Sequence, residues 1–322
     1  PVYERAYDVE KLKKLKSTQT SDLNLPSIVR IEEQVKAETS MQFPTAWIYE
    51  QFDQRVGLNT IHDASYDVAV LRLPESGRTL GLVLGCRTRL MQENSWIGAM
   101  DAILYPYLQL AIKGFQGVGV TDCLNFGNPE KTEVMTDFVS SVEAMVLAAK
   151  ELNTPIISGN VSFYNETLGQ NILPTPATGM VGLQDVDSTR MIPPEDFLRS
   201  VNSNTDVSSG DELYLLSLPI LHWGVESVQK VKIFARDLRS LAIRPEVLVT
   251  QMVSLQGLEA SIKNLESAPD LATEVAPELQ GKAKTKFKIK TVTPVQKLNA
   301  NIFYQVLVVI KKGSSTKLLP TL

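Results

Sequence analysis

The sequence predicts a mixed α/β protein, with one α/β unit followed by a second, shorter one. Three observations predict it. Short aliphatic runs bounded by turn residues recur at 67–73, 80–85, 118–121, 155–158, 180–183, 212–218 and 302–310. Longer stretches with helical spacing lie among them at 97–113, 129–151 and 225–241. A segment rich in Asp, Ser, Pro and Asn, residues 184–211, divides the two groups as a domain boundary would.

Taken in order, residues 1–45 form a charged lead-in. Lys11-Leu12-Lys13-Lys14-Leu15-Lys16 fits a short helix with a solvated lysine face, and Ile28 to Val35 fits another. Residues 46–185 make the first unit. It begins with the aromatic stretch Ala46–Phe52, of mixed periodicity. Asp67–Leu73 and Leu80–Gly85 read as strands. The helix at 97–113 buries Ile97, Met100, Ile103, Leu104, Leu108 and Ile112. Val118–Thr121 is a short buried strand. The next helix runs 129–151: Pro129 suits its first position and Asn128 its cap, with Val134, Phe138, Val142, Met145, Val146 and Ala149 on one face. Pro155–Ser158 and Met180–Leu183 are the next strands. Residues 186–322 make the second unit, with strands at 212–218 and 302–310, helices at 225–241 and 255–265, and a polar, irregular stretch at 266–300.

Composition narrows the function classes. Hydrophobic residues are 43% and charged residues 21% of 322, as in a water-soluble globular chain. The formal net charge of -4 gives no basic character for nucleic-acid binding. No stretch reaches the roughly 20 apolar residues of a membrane span. Two cysteines, Cys86 and Cys123, make neither a disulfide framework nor a four-ligand zinc site, and fit a reducing, cytoplasmic setting. The first residues, Pro1-Val2-Tyr3-Glu4-Arg5, do not read as a signal peptide, and they lack the initiator Met, as a cut or trimmed chain would.

Two segments carry the candidate chemistry. In one, a strand ends on Asp122, passes Leu124-Asn125-Phe126-Gly127-Asn128 and enters the helix that Pro129 opens. In the other, a strand ends in Ser158-Gly159-Asn160-Val161-Ser162. Both place small polar groups at the carboxyl end of a strand, where α/β proteins bind ligands. A carboxylate and an amide carbonyl are hard oxygen donors suited to Mg²⁺. Gly127 and Gly159 would let backbone amides approach a phosphate. Pattern alone more often means a capped turn for the first segment and a tight turn for the second. There is no Walker A loop and no dinucleotide fingerprint.

The same residues carry a family resemblance. Thr121-Asp122-Cys123-Leu124-Asn125-Phe126-Gly127-Asn128-Pro129-Glu130-Lys131 and Ser158-Gly159-Asn160-Val161-Ser162-Phe163-Tyr164-Asn165-Glu166 closely resemble two motifs of the PurL-type phosphoribosylformylglycinamidine synthases. Pro1–Arg5, Trp47–Asp53 with Asn59-Thr60, Pro174-Thr175-Pro176 and Gly179–Leu183 resemble further stretches of the second half of that family. The resemblance is strong over 43–183 and fades afterwards.

It implies a PurM-like fold: an N-terminal α/β domain with a mixed sheet at 46–185, and a divergent, shortened C-terminal α/β domain at 186–322. It also implies an ATP-dependent ligase of de novo purine biosynthesis. That enzyme turns formylglycinamide ribonucleotide and glutamine-derived ammonia into formylglycinamidine ribonucleotide, ADP and phosphate. Asp122 and Gly159 match ATP contacts, Asn160 a Mg²⁺ ligand and Ser162 a substrate contact. The implied cofactors are Mg²⁺ and ATP. The implied partners are the N-terminal half of the enzyme, a glutaminase component and a second copy of this chain. No catalytic residue falls in this half; the family's catalytic histidine, its ATP lysine and most metal carboxylates lie in the first. His62 and His222 sit outside any family motif and read as structural or exposed.

The departures are informative. The family's T-D-G-N-P-R is here Leu84-Gly85-Cys86-Arg87-Thr88-Arg89, its L-D-P-Y is Glu93-Asn94-Ser95-Trp96, and its H-D-V-S-D-G-G-L is Gln251–Leu258. Carboxylates are lost where a pseudo-symmetric auxiliary nucleotide site would lie. Two alternatives follow: a catalytically inactive PurL-like scaffold or regulator, and a PurM-like ATP-dependent protein with another substrate.

Overall fold

The computed structural model describes residues 4–23, 46–64, 66–184, 211–253, 261, 289–291 and 302–314. The helix expected at 28–35, the boundary segment and nearly all of 255–288 lie outside the described residues.

The lead-in does fold as a helix, α1 (Val9–Ser17), capped by Asp8, whose side chain accepts from the Lys11 amide. One helical turn, α2, spans Ala46–Tyr49. Strands β1 (Thr60–His62), β2 (Ala69–Leu73) and β3 (Arg78–Gly85) then run as an antiparallel meander. A short helix, α3 (Thr88–Glu93), leads into α4 (Ser95–Ala111). Asn94 starts α4 by accepting from the Ile97 amide at 3.0 Å. Strand β4 (Phe115–Asn125), helix α5 (Thr132–Leu152), strand β5 (Ile156–Ser162), the small hairpin β6 (Glu166–Thr167) and β7 (Gln170–Asn171), and strand β8 (Thr175–Gln184) complete the unit.

The first sheet has the order β1-β2-β3-β8-β4-β5. It is mixed: β4 and β5 pair in parallel, while β8 is antiparallel to β3 and β4. The carboxyl ends of β3, β4 and β5 therefore share one edge.

Helix α4 is the core of the molecule. All but two of its 17 residues are buried, because it packs on β3, β4 and β8, beside α5, and against the second unit. A helix apolar all round is expected where nothing faces water. Pro106 lies inside it and has no N–H, so the Ala102 carbonyl loses its helical donor. The Thr178 hydroxyl of β8 donates to that carbonyl at 2.5 Å.

The second unit is the sheet β10-β12-β9-β11, formed by β9 (Glu212–Pro219), β10 (Val247–Met252), β11 (Ile289–Thr291) and β12 (Ile302–Ile310), with helix α6 (Val225–Ala242). Polar contacts fasten it to α4. Trp96 Nε1 donates to the Trp223 carbonyl at 2.9 Å, and Lys113 Nζ to the Thr250 carbonyl at 2.7 Å. The Tyr304 hydroxyl donates to Asp101 at 2.7 Å.

Two expectations need correction. The helix expected from 129 begins at Thr132, and Asn128 does not cap it. Asn128 Oδ1 instead accepts from the Glu130 amide and Asn128 O from the Lys131 amide, which makes a turn around Pro129. The strands expected to stop at Thr121 and Ser158 continue to Asn125 and Ser162. Pairing with β8 from Asp122↔Thr178 to Asn125↔Thr175 keeps the backbone extended past the polar residues.

Candidate active-site edge

Because both strands continue, the four predicted site residues sit on pleated backbone, in neither a cap nor a tight turn. Asp122 pairs with Gly159, Cys123 with Asn160 and Asn125 with Ser162. The structure thus brings Asp122, Gly159, Asn160 and Ser162 together on two adjacent parallel strands. Alternation along a strand then divides them. Asp122 and Gly159 project to one face of the sheet, Asn160 and Ser162 to the other.

Asp122 and Gly159 are fitted to each other. A Cβ at Gly159 would overlap Asp122 Oδ1, so glycine is what lets the carboxylate lean across onto the neighbouring strand. Among the described residues Asp122 has no ion-pair or side-chain hydrogen-bond partner. Partial burial raises its pKa above the ordinary value. On the other face Asn160 is exposed, and Thr121 Oγ1 and Ser158 Oγ lie 3.0 Å apart. The outer backbone edge of β5 has no neighbouring strand among the described residues, which leaves peptide N–H groups available to an anion.

The loops beyond these strands are knitted together. The Phe126 amide donates to Ser162 O, the Tyr164 amide to Gly127 O and the Asn165 amide to Phe126 O. Tyr164 takes a left-handed backbone, φ 59°, to make the reversal. Beneath, Phe126, Phe138 and Phe163 pack with ring centroids 5.0–6.4 Å apart. Lys131 Nζ ties the hairpin down, donating to Gly169 O at 3.1 Å and meeting Glu166 at 3.4 Å. Sequence reasoning missed Asn165 and Asn171. Asn171 Oδ1 accepts from the Asn128 amide at 3.0 Å. Their place inside or just after the second motif was the available signal.

The described residues contain no group of three His, Cys, Asp or Glu side chains that could hold a metal. Asp122 and Asn160 face opposite ways and do not converge on one ion. These residues alone do not form a Mg²⁺ site; a bound ion needs ligands from elsewhere. His62 is buried and stacks on Tyr66 at 4.3 Å, remote from the edge in the strand order.

The end of β3 lies on the same edge but is closed. Gly85 pairs with Thr178, which pairs with Asp122. A Cβ on Gly85 would overlap Pro106 and the Ala102 carbonyl of α4, so here glycine lets a helix close in. Arg87 then turns inward. Its Nε donates to Asp101 Oδ2 at 2.7 Å, its Nη2 pairs with Asp101 Oδ1, and its plane lies 4.4 Å from the Tyr105 ring. Burial opposes the charge on Arg87, but Asp101 outweighs it and raises the pKa. Burial also pushes the Cys86 thiol up to about 11, with Asp101 adding to it.

Residues 66–184 match the family described as AIR synthase related protein, N-terminal domain. The PurL subunit of phosphoribosylformylglycinamidine synthase from Carboxydothermus hydrogenoformans is 37% identical over 224 residues, 68% of this chain and 28% of that protein. The structure of T. maritima PurL complexed with ATP matches with TM-score 0.54 at 17% identity, covering 84% of this chain and 38% of that one. PurL of the same organism complexed with FGAR gives TM-score 0.55 at 18% identity, covering 83% and 37%. The chain thus spans under a third of the length of its curated relative. Its fold is the mixed α/β arrangement of the PurL structures, within which residues 66–184 resemble the AIR synthase related N-terminal domain.

Proposed function

We propose that this chain is the C-terminal half of a PurL-type phosphoribosylformylglycinamidine synthase and supplies one wall of its Mg-ATP and substrate site. The supporting observation is the β4–β5 edge, where Asp122, without a partner among the described residues, is held over Gly159 on one face and Asn160 and Ser162 project from the other. The reaction would be ATP-dependent conversion of formylglycinamide ribonucleotide and glutamine-derived ammonia to formylglycinamidine ribonucleotide, ADP and phosphate, in de novo purine biosynthesis in the cytoplasm. Asp122 and the Gly159 backbone contact ATP, and Ser162 contacts the substrate. Asn160 offers one carbonyl oxygen to Mg²⁺, whose other ligands come from the N-terminal half. When bound, the ion would neutralise phosphoryl charge. Phosphoryl transfer depends on positioning and preorganised dipoles, and two pleated strands fix these groups before ligand arrives.

We assign residues 1–45 to a lead-in, 46–185 to the ATP-site domain and 186–322 to a shortened second domain. The open face of the first sheet is the surface for the N-terminal half, and in its absence for a second copy of this chain. Leu71, Leu80, Leu82 and Leu84 alternate with the buried face there; the first three are half-buried among the described residues and Leu84 is 84% exposed. An apolar sheet face left in water marks an interaction site. A glutaminase component delivers ammonia to the assembled enzyme. The isolated chain is inactive. The test is reconstitution: the chain mixed with an N-terminal half should turn over formylglycinamide ribonucleotide, ATP and ammonia, and neither part alone should.

A second reading, an inactive PurL-like scaffold or regulator, draws support from the closed end of β3. It is the answer if the reconstituted pair binds no Mg-ATP.

A further inference from the structure

We propose that Arg5 is a positioning residue for substrate binding, bracing the turn that follows Ser162 by holding Tyr164 and Glu130 together; this rests on the reading of Ser162 as a substrate contact. Arg5 Nη2 donates to the Tyr164 hydroxyl at 3.2 Å, and Arg5 Nη1 lies 3.7 Å from Glu130 Oε1. The Tyr164 hydroxyl donates in turn to Glu130 Oε1 at 3.3 Å. The proton directions are forced. A guanidinium only donates and a carboxylate only accepts, so the phenol accepts from the first and donates to the second. Glu130 belongs to the segment after β4, Tyr164 to the segment after β5, and Arg5 to the lead-in. One guanidinium thus joins three stretches that are far apart in sequence.

Tyr164 needs that brace. Its φ of 59° is left-handed, a region that a bulky side chain rarely takes. Its side chain is exposed, so core packing does not hold it there. Its amide donates to Gly127 O while the Phe126 amide donates to Ser162 O, so the turn it makes sets where β5 ends. Arg5 is fixed from behind. The Asp8 amide donates to the buried Thr136 Oγ1 of α5 at 2.9 Å, and Lys11 of α1 meets Asp137 at 3.4 Å. The lead-in therefore carries an attachment on α5 across to the ligand end of β5. Arg5 and Glu130 are open to solvent, so their pairing contributes little to global stability. Its effect falls on where Ser162 sits.

The experiment measures KM for formylglycinamide ribonucleotide, KM for ATP and thermal midpoint in the reconstituted enzyme, for Arg5→Met, Tyr164→Phe, their double variant and Ser162→Ala. Arg5→Met and Tyr164→Phe should each raise the substrate KM about fivefold, the upper worth of an exposed charged contact, while the ATP KM and the thermal midpoint stay near the parent's. The double variant should be no worse than Arg5→Met, because the two groups act through one contact. A double variant whose effect is the product of the singles overturns the proposal. So does an impaired Arg5→Met beside a normal Tyr164→Phe, since Arg5 would then act without the turn. A lowered thermal midpoint in Arg5→Met with both KM values raised makes Arg5 structural and overturns it too. Parent-like KM in Arg5→Met beside an impaired Ser162→Ala overturns the proposal and leaves the substrate-contact reading standing. Parent-like KM in Ser162→Ala sinks the reading and the proposal together.

Discussion

The ends of β3 and β4 lie on one edge of one sheet, and the chain treats them oppositely. Both carry charge beside a close-fitting glycine. At β3, Gly85 admits helix α4, Arg87 folds inward, and Asp101, Tyr105 and Tyr304 absorb its charge. At β4, Gly159 admits only the Asp122 carboxylate, which finds no partner among the described residues. A satisfied buried pair stabilises an arrangement, while an unsatisfied, partly buried carboxylate is poised for something that is not yet there. The contrast separates a structural end from a ligand end on the same scaffold, and it should survive mutation in a lopsided way.

The largest effect is expected at the closed end. Asp101→Leu strands the buried Arg87 charge and should cost about 3–5 kcal/mol of stability, read by denaturant unfolding. Pairing it with Arg87→Met removes the stranded charge and should recover most of that loss. No recovery would mean that Arg87 is held by its rings rather than by Asp101. Next, Gly159→Ala should weaken Mg-ATP binding to the reconstituted enzyme about tenfold, since a shifted carboxylate loses one charge-assisted contact. Its thermal midpoint should stay near that of the parent; a large fall would make Gly159 structural. Third, Tyr304→Phe removes one hydrogen bond to Asp101, which Arg87 still satisfies, and should cost about 1 kcal/mol without touching nucleotide affinity. The smallest effect concerns pH. The raised pKa of Asp122 means that its ionised form is lost on acidification earlier than for an ordinary aspartate at 3.8. Mg-ATP affinity should therefore fall as pH drops through a midpoint above that value, and in Asp122→Asn this phase should vanish.

Much of this was legible beforehand. Strand β12 falls where the run Ile302–Ile310 places it, because its β-branched, aromatic and aliphatic residues, broken only by Gln305, suit a strand whose Tyr304 and residues 306–310 are buried. Helix α6 was equally clear from its single apolar face. The site strands were not. Ser-Gly-Asn and Asp-x-x-Asn carry turn chemistry locally, and only pairing with β8 and with each other holds them extended. That pairing also decides which face each side chain takes, so the split of Asp122 from Asn160 could not be read from spacing. The start of α5 was misplaced for a related reason. Asn128 satisfies its own turn and accepts a bond from a residue two positions on, so it has no capping role left. The inward Arg87 was hidden as well, since its partner Tyr304 lies more than 200 residues away in sequence.

The most direct measurement is calorimetric titration of Mg-ATP into this chain reconstituted with an N-terminal half, comparing the parent, Asp122→Asn and the Arg87→Met/Asp101→Leu pair. The account predicts that Asp122→Asn binds at least about tenfold more weakly, while the closed-end pair binds as the parent does. Parent-like affinity in Asp122→Asn would contradict it.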